Sequence, residues 1–372
     1  MSTFDAQDRA YMARALVLAA NGLATAHPNP RVGCVLVRDG AIVGEGWHAH
    51  PGGPHAEAMA LANLRSSAAG ATAYVTLEPC NHHGRTPPCT DALINAGVRR
   101  VVYAVDDPNP LVNGGGARAL SAAGVEVIAG LLATEAAELN AGFIKRMRRG
   151  LPLVRVKLAM SLDGRTALSD GRSKWITGAA ARQDVQQWRA RSSAVLTGVG
   201  TVLADDPLLS VRPAGPAVRQ PARVILDSQL RTPPDARIFS GAAETAAAGV
   251  WIFTTSTDAQ RIVALQARGA RVERTGSAGP VDLSQVLQVL AQAGMNEVLV
   301  EAGATLAGAL VQQQCVDELL LYVAPVVLGD RARGLLKVPE PLSLAQAWRF
   351  EVFDITAVGT DQRIRLRSCS QA

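Results

Sequence analysis

The sequence predicts two consecutive α/β domains, and three observations carry that prediction. The chain has 372 residues, 48% of them apolar, more than one ordinary hydrophobic core takes up. Aromatics make up only 4%, while alanine, valine and leucine abound, a composition suited to helices packed closely on sheets. Strand-like and helix-like segments also alternate in two series, on either side of the charge-rich stretch "NAGFIKRMRRGLP" at 140–152. The expected domains are residues 1–146 and 151–372.

Residues 5–20 place Ala10, Met12, Ala13, Leu16, Val17 and Ala20 on one broad face and predict a helix. "VGCVLVRDGAIVGEGWH" (32–48) reads as two strands around an Asp-Gly hairpin turn. "HAEAMALANL" (55–64) is helical and "ATAYVTLEP" a strand. "CTDALINAG" predicts a helix ended by glycine. "RRVVYAVDDPNP" gives a further strand, "GGGARALSAAG" a glycine-rich turn into a helix, and "VEVIAG" closes the unit. This order predicts a layered domain with a mixed sheet. Past residue 150, "LVRVKLAMSLDGR" opens a second series, with strands expected at "SAVLTGV", "ARVILDS", "GVWIFTT", "NEVLVEAG" and "DELLLYVAPVVLG".

Composition excludes several classes. The start "MSTFDAQDRAYMARAL" has neither the charged nor the apolar region of a signal peptide, and no run approaches the ~18 apolar residues of a membrane span. Five cysteines, an odd number widely scattered, predict reduced thiols and a cytoplasmic enzyme without a membrane partner. The net charge of +5 is unevenly placed. Residues 1–145 carry 10 Lys and Arg against 12 Asp and Glu, and the remainder 27 against 20. A nucleic-acid partner is therefore not expected at the first domain.

That first domain holds all six histidines, and Cys80 and Cys89, each preceded by proline, with eight residues between them. His55, Cys80 and Cys89 make three zinc ligands and leave a fourth tetrahedral position for water, the arrangement of a catalytic rather than a closed structural site. Zinc lowers the pKa of such a water to about 7. Glu57, two residues after the histidine, suits proton transfer from that water to a departing amine. H-x-E…P-C-x-x-C is the zinc nucleobase-deaminase signature, matched here in all but the cysteine spacing. The competing reading is that the two cysteines are structural or incidental. Cys34 lies in an apolar strand and reads as core. His27, His48 and His50 read as turn or polar-network residues, and His82 and His83 as substrate contacts or solvated surface.

The second half shows neither a Walker pattern nor GxGxxG. "VLVEAGATLAGAL" (298–310) is a strand ending in Glu301, then a small-residue turn into a helix. Backbone N–H groups at Gly303, Ala304, Thr305 and Leu306 there suit a phosphate, although most such turns bind nothing.

These motifs resemble one family. The inserted loop "NHHGRTPP" between the cysteines, with "HPNPRVGCVLV" and "HPGGPHAE" upstream, resembles the zinc deaminase domain of the bifunctional riboflavin-biosynthesis deaminase–reductases. "VKLAMSLDGRTA", "SKWIT", "GVGTVLADDPLLSVR", "ILDS" and "EAGATLAGAL" are similar, in order, to the motifs of the same family's reductase domain, so the match spans most of the chain. The resemblance implies a cytidine-deaminase-like first domain with one zinc ion, and a dihydrofolate-reductase-like second domain using NADPH. It implies NADP contacts at Ala159, Trp175, Thr201, Asp205, Ser228 and the turn Gly303, Ala304, Thr305, Leu306, Ala307, Gly308, Ala309. Substrate contacts are implied at Ser173, Arg189, Leu209, Arg212 and Glu301, and at Asn29 near the metal. Either Lys157 or Asp163 could assist proton transfer, against a plain salt-bridge role for each. The implied substrate is a pyrimidine ribosylamine phosphate, and the implied assembly a homo-oligomer built through the reductase domain.

Two alternatives stay open at this point. A nucleic-acid base deaminase with an accessory domain predicts a basic first domain with stacking aromatics. A non-catalytic zinc-binding module predicts a fourth protein ligand, for which His82 or His83 qualifies by type.

Overall fold

A computed structural model describes residues 4–81, 87–110, 112–212, 219–240 and 249–369, and the chain forms two compact units, Met1–Leu151 and Pro152–Ala372. Among the described residues no helix is long and apolar enough to cross a membrane.

In the first unit the chain runs through helix α1 (Ala6–Ala20), strands β1 (Gly33–Arg38) and β2 (Ala41–Trp47), α2 (Ala56–Ala62), β3 (Thr72–Val75), α3 (Cys89–Asn95), β4 (Arg100–Tyr103), α4 (Gly115–Ala122), β5 (Glu126–Ala129), α5 (Ala133–Leu139) and α6 (Ala141–Arg149). Asp5 starts α1 through a reciprocal capping box with Asp8, which satisfies donors the first turn leaves open. Asp39 (φ 51°) and Gly40 (φ 75°) make the tight turn between β1 and β2; both positive φ values match the right-handed strand twist that Asp-Gly serves. The sheet order is β2-β1-β3-β4-β5, antiparallel around β1 and parallel from β3 to β5. Alternation along each strand builds two cores. Cys34, Leu36, Ala73, Val75, Val101 and Tyr103 pack with Ala56, Ala60, Leu93 and Leu120 of α2, α3 and α4. Val35, Val37, Tyr74 and Val102 pack with Met12, Ala15 and Leu18 of α1 and Ala136 of α5. Asp8 is buried and joins these layers, accepting from Tyr74 Oη at 2.7 Å and Arg100 Nη1 at 3.0 Å.

Helix α2 sits against β2 with almost no clearance. A Cβ on Gly46 would stand 2.4 Å from the Ala60 nitrogen and 2.5 Å from the Ala56 carbonyl oxygen. Glycine is required there by that approach, which fixes how deeply the start of α2 is seated.

The second unit continues with β6 (Leu153–Ser161), β7 (Arg165–Ala167), α7 (Ala179–Arg191), β8 (Ala194–Gly198), α8 (Val199–Asp205), β9 (Ala222–Leu226), β10 (Val250–Thr254), α9 (Ala259–Gln266), β11 (Ala270–Arg274), α10 (Leu283–Gln292), β12 (Glu297–Glu301), α11 (Ala304–Gln312), β13 (Glu318–Ala324), β14 (Arg333–Gly334), β15 (Phe350–Val358) and β16 (Asp361–Ser368). Nine strands form one sheet in the order β11-β10-β9-β8-β12-β6-β13-β16-β15. The strands from β11 to β13 run parallel, and the β15–β16 hairpin adds antiparallel to β13. Arg155, in the middle of this sheet, is fully buried between Glu297 and Glu318 at 3.0 Å from each, under the Trp188 ring. Arg191 and Arg365 close the two carboxylates from outside at 3.2 and 2.6 Å.

The stretch 140–152, read from sequence only as a charged boundary, contains helix α6, ended by Gly150 at φ 65°. A left-handed glycine after the last turn is a stop signal that the charge pattern obscured.

Two outcomes follow. Gly46→Val forces α2 off β2 and is expected to cost roughly 1–3 kcal/mol of overpacking strain and to lower the zinc bound per chain, measured by urea unfolding and metal analysis. Arg155→Leu leaves two buried carboxylates short of their central partner and is expected to destabilise the second unit by roughly 3–5 kcal/mol, read as an earlier urea midpoint.

Candidate active sites

The first site is assembled from the ends of three elements. His55 is the residue before α2, Glu57 lies in its first turn, Cys80 follows β3, and Cys89 opens α3. One ligand atom from each of His55, Cys80 and Cys89 falls within 4.8 Å of the others. His55 Nδ1 lies 3.2 Å from Cys89 Sγ and 3.5 Å from Cys80 Sγ, and the Cys89 backbone N–H donates to Cys80 Sγ at 3.4 Å. Both cysteines are free thiols. A converging imidazole and two thiols, none used in a disulfide, are the donor set that suits zinc. Among the described residues the cluster has three ligands; His82 and His83 lie outside the described residues.

Electrostatics at this cluster are strongly biased. The hydrogen bond from the Cys89 thiol, helped by His55, pulls Cys80 down to about 4, and the same contact holds Cys89 far above an ordinary thiol. Hydrogen bonding to Cys80 raises His55. Glu57 is 3% exposed, and burial, reinforced by the Cys80 thiolate, pushes its carboxyl up to about 7. A carboxyl so placed is poised to take or give a proton near neutrality.

Asn29 is held by His48. His48 Nδ1 faces the Pro54 carbonyl at 3.0 Å, so that nitrogen carries the hydrogen, and Nε2 accepts from Asn29 Nδ2 at 2.9 Å. Burial lowers the His48 pKa and keeps the ring neutral. The Asn29 amide therefore has one orientation, with its Oδ1 left to accept from elsewhere. A group that sequence reasoning missed is Glu78. Its buried carboxylate accepts the backbone N–H groups of Asp107 (3.3 Å), Gly114 (2.9 Å), Gly116 (3.0 Å) and Ala117 (3.1 Å), tying the strand end that leads to Cys80 to the start of α4. The Leu-Glu-Pro-Cys run gives no sign of that role, because the four donors are backbone groups from a distant segment.

The second site is a cavity of about 1660 Å³ over the carboxyl ends of the parallel strands, where ligands bind in open α/β sheets. Ala159 and Lys157 reach it from β6, Thr201 and Asp205 from α8, Ser228 from the turn after β9, and Glu301 from the end of β12. Ser173, Trp175, Arg189, Leu209 and Arg212 line it as well. The glycine-rich turn divides. Gly303, Ala304, Thr305, Leu306 and Ala309 line the cavity, whereas Ala307 and Gly308 do not. Ala307 is fully buried with its N–H on the Gly303 carbonyl at 3.2 Å, and a Cβ on Gly308 would meet the Lys337 carbonyl oxygen. Of the turn residues named from the resemblance, these two present no spare N–H group to the cavity, since only the first turn of a helix has them.

Within the cavity Arg189 grips Glu301 through two bonds, Nε to Oε1 at 2.5 Å and Nη2 to Oε2 at 2.9 Å, and donates Nη1 to the Ser210 carbonyl at 3.0 Å. Burial works to raise Glu301, but Arg189 outweighs it and holds the carboxyl below its usual range. Burial lowers the Lys157 ammonium pKa, opposed by Glu301. Asp205 pairs with Lys174 at 3.4 Å. Trp175 is 71% exposed and carries the Arg182 guanidinium 4.5 Å over its ring. Arg182 and Tyr322, both lining residues, were not singled out from sequence; each sits in a pattern that reads as ordinary helix or strand. Asp163 accepts from Ser161 Oγ and from the Leu328 and Gly329 backbone N–H groups, which accounts for it as a loop anchor outside the cavity lining.

Comparison with known proteins matches both halves. Residues 152–362 match the family "RibD C-terminal domain", and residues 5–105 the "cytidine and deoxycytidylate deaminase zinc-binding region". Along its sequence the chain is 49% identical to the riboflavin biosynthesis protein RibD of Escherichia coli strain K12, over 97% of this chain and 99% of that protein. It is 46% identical to the Haemophilus influenzae protein of the same name, over 98% of each. In structure it resembles Acinetobacter baumannii RibD, with a TM-score of 0.89 at 46% identity, covering 97% of this chain and 99% of that one. It also resembles a Thermotoga maritima diaminohydroxyphosphoribosylaminopyrimidine deaminase/5-amino-6-(5-phosphoribosylamino)uracil reductase, with a TM-score of 0.85 at 34% identity, covering 98% and 99%. Fold, donor cluster and near-complete coverage agree, and the chain belongs to the RibD family of riboflavin biosynthesis proteins.

Proposed function

We propose that this chain performs two consecutive steps of riboflavin biosynthesis. Residues 1–146 hydrolyse the 2-amino group of 2,5-diamino-6-(5-phosphoribosylamino)pyrimidin-4(3H)-one. Residues 151–372 then reduce the ribosyl chain of the resulting 5-amino-6-(5-phosphoribosylamino)uracil to ribityl with NADPH. The observation that carries this reading is the convergence of His55, Cys80 and Cys89 beside a buried Glu57, in a chain that also holds a large cavity, lined in part by charged side chains, over a parallel sheet. The proposed setting is the cytoplasm, the proposed assembly a homo-oligomer through the reductase domain, and the substrate a small molecule rather than nucleic acid; the acidic balance of residues 1–145 supports the last point.

His55, Cys80 and Cys89 would hold zinc, which supplies a Lewis acid that makes water nucleophilic at neutral pH. Glu57, buried beside the cluster, takes a proton from water and delivers it to the departing amine. The Asn29 amide, fixed by His48, offers its Oδ1 to the pyrimidine.

In the second unit NADPH supplies the hydride. Ala304, Thr305 and Leu306 line the cavity in the first turn of α11, and their spare N–H groups suit the cofactor's pyrophosphate. Arg189 and Arg212 bind the phosphorylated sugar, and Glu301, oriented by Arg189, accepts from its hydroxyls. Lys157, whose ammonium is weakened by burial, holds the proton that the reduced sugar oxygen takes up.

The test is ammonia release from the diaminopyrimidinone phosphate with and without NADPH. Wild type is expected to release ammonia without NADPH and to oxidise NADPH only once deamination can occur. Glu57→Ala is expected to lose ammonia release yet still oxidise NADPH when given the deaminated uracil. Normal deamination by Glu57→Ala would show that the acid is misassigned. Arg189→Met is expected to lower reductase kcat/KM by about tenfold or more, the scale of one lost charge-assisted hydrogen bond, with ammonia release unchanged in the same assays.

A further inference from the structure

The turn after β9, residues 227–232, is tied down at many backbone and side-chain groups, yet one of its side chains has no partner. Asp227 is fully buried, and its Oδ2 accepts both the Thr232 backbone N–H and hydroxyl at 2.7 Å. The Asp227 carbonyl accepts from the Leu230 N–H at 3.1 Å. Leu230 holds φ 54° with its side chain buried, and Arg261 Nη1 donates to its carbonyl at 2.8 Å. Ser228 accepts the Thr254 and Thr255 hydroxyls on its carbonyl, each at 3.1 Å, and the Val281 N–H on its Oγ at 3.2 Å. A non-glycine residue at positive φ persists only where its surroundings over-determine it. The next residue, Arg231, therefore leaves the turn in one direction. Arg231 is exposed, lines the same cavity as Ser228, and has no ion pair or hydrogen bond among the described residues.

Sheet order says what this guanidinium faces. The strands run β9-β8-β12-β6, and α11, whose N-terminus suits a pyrophosphate, follows β12. Lys157 stands on β6, next to the Arg189–Glu301 pair at the end of β12, groups suited to a phosphorylated sugar. The adenosine end of a dinucleotide is left the β9 side, two strand spacings or about 10 Å away. A 2′-phosphate calls for a charge-assisted donor such as arginine, whereas a bare ribose 2′-hydroxyl is met by a carboxylate, the contrast that Rossmann-type sites display. Here the carboxylate of the turn, Asp227, is buried and the arginine is free.

We propose that Arg231 binds the 2′-phosphate of NADPH and so sets the preference for NADPH over NADH, an inference that rests on the NADP reading of this cavity. The test is titration calorimetry of the full-length chain with NADP+, NAD+, 2′,5′-ADP and 5′-AMP. Wild type is expected to bind NADP+ and 2′,5′-ADP more tightly than NAD+ and 5′-AMP. Arg231→Met is expected to weaken the two 2′-phosphorylated ligands by about 10- to 100-fold, as loss of a charge-assisted contact does. The other two should change by less than about twofold on the same scale. Arg231→Lys is expected to recover part of the difference, and a wild-type urea unfolding midpoint of the second unit will show that the variants are folded. Equal weakening of NADP+ and NAD+, no change in either, or transfer of the effect to Arg237→Met would overturn the assignment, as would a defect confined to the KM of the phosphoribosyl substrate. Failure of wild type to bind NADP+ and 2′,5′-ADP at all would instead remove the NADP reading, a result distinct from wild-type binding that Arg231→Met leaves intact.

Discussion

The guanidinium of Arg155 joins three adjacent strands, and the second unit depends on it. It stands on β6 between Glu297 of β12 and Glu318 of β13, in a layer where water cannot compensate any of the three charges. Such a set is stable only when complete, since two carboxylates without their cation would cost more than the pairs contribute. Arg191 and Arg365 complete it from the rim, and Trp188 covers it with its ring 4.7 Å from the Arg155 guanidinium. Register among the central strands is therefore fixed at their amino ends.

That placement leaves the carboxyl ends of the same strands to binding. β6 runs from Arg155 at the structural end to Lys157 and Ala159 in the cavity, and β12 from Glu297 to Glu301. The same residue types serve opposite purposes at the two ends. Arg155 saturates its carboxylates in a closed layer, whereas Arg189 grips Glu301 at the edge of an open cavity. The turn Gly303–Leu306 opens on the same cavity, and a helix begins there with unspent N–H groups.

In the first unit the equivalent constraint is proximity rather than charge. Gly46 admits the α2 backbone to within contact of β2, which seats His55 and Glu57 at the depth where Cys80 and Cys89 arrive from β3 and α3. Glu78 then anchors the approach to Cys80 by accepting four backbone N–H groups. Burial at that depth is the largest influence raising the Glu57 carboxyl, whereas the thiol pair is polarised first by the hydrogen bond between Cys80 and Cys89.

Much of this was legible in the residues themselves. Asp-Gly between two alternating runs specifies a hairpin whatever surrounds it, and His-Ala-Glu with two Pro-Cys pairs names a zinc chemistry, because ligand type is a property of the side chain. Helix α6 was not legible, since the basic residues of 145–149 read as a boundary until Gly150 is seen to end a helix at φ 65°. Roles set by distant partners stayed hidden: Glu78, Tyr322 and Arg231 look like ordinary strand or turn residues, and Ala307 and Gly308 looked equivalent to their neighbours until the helix turned them away. The sequence by itself determined the two-domain α/β series, the His/Cys/Cys donor set and the acid beside it, all carried by local pattern and side-chain chemistry. Only the tertiary structure decided which charges are spent in the core and which face a ligand, because that depends on which ends of which strands lie side by side.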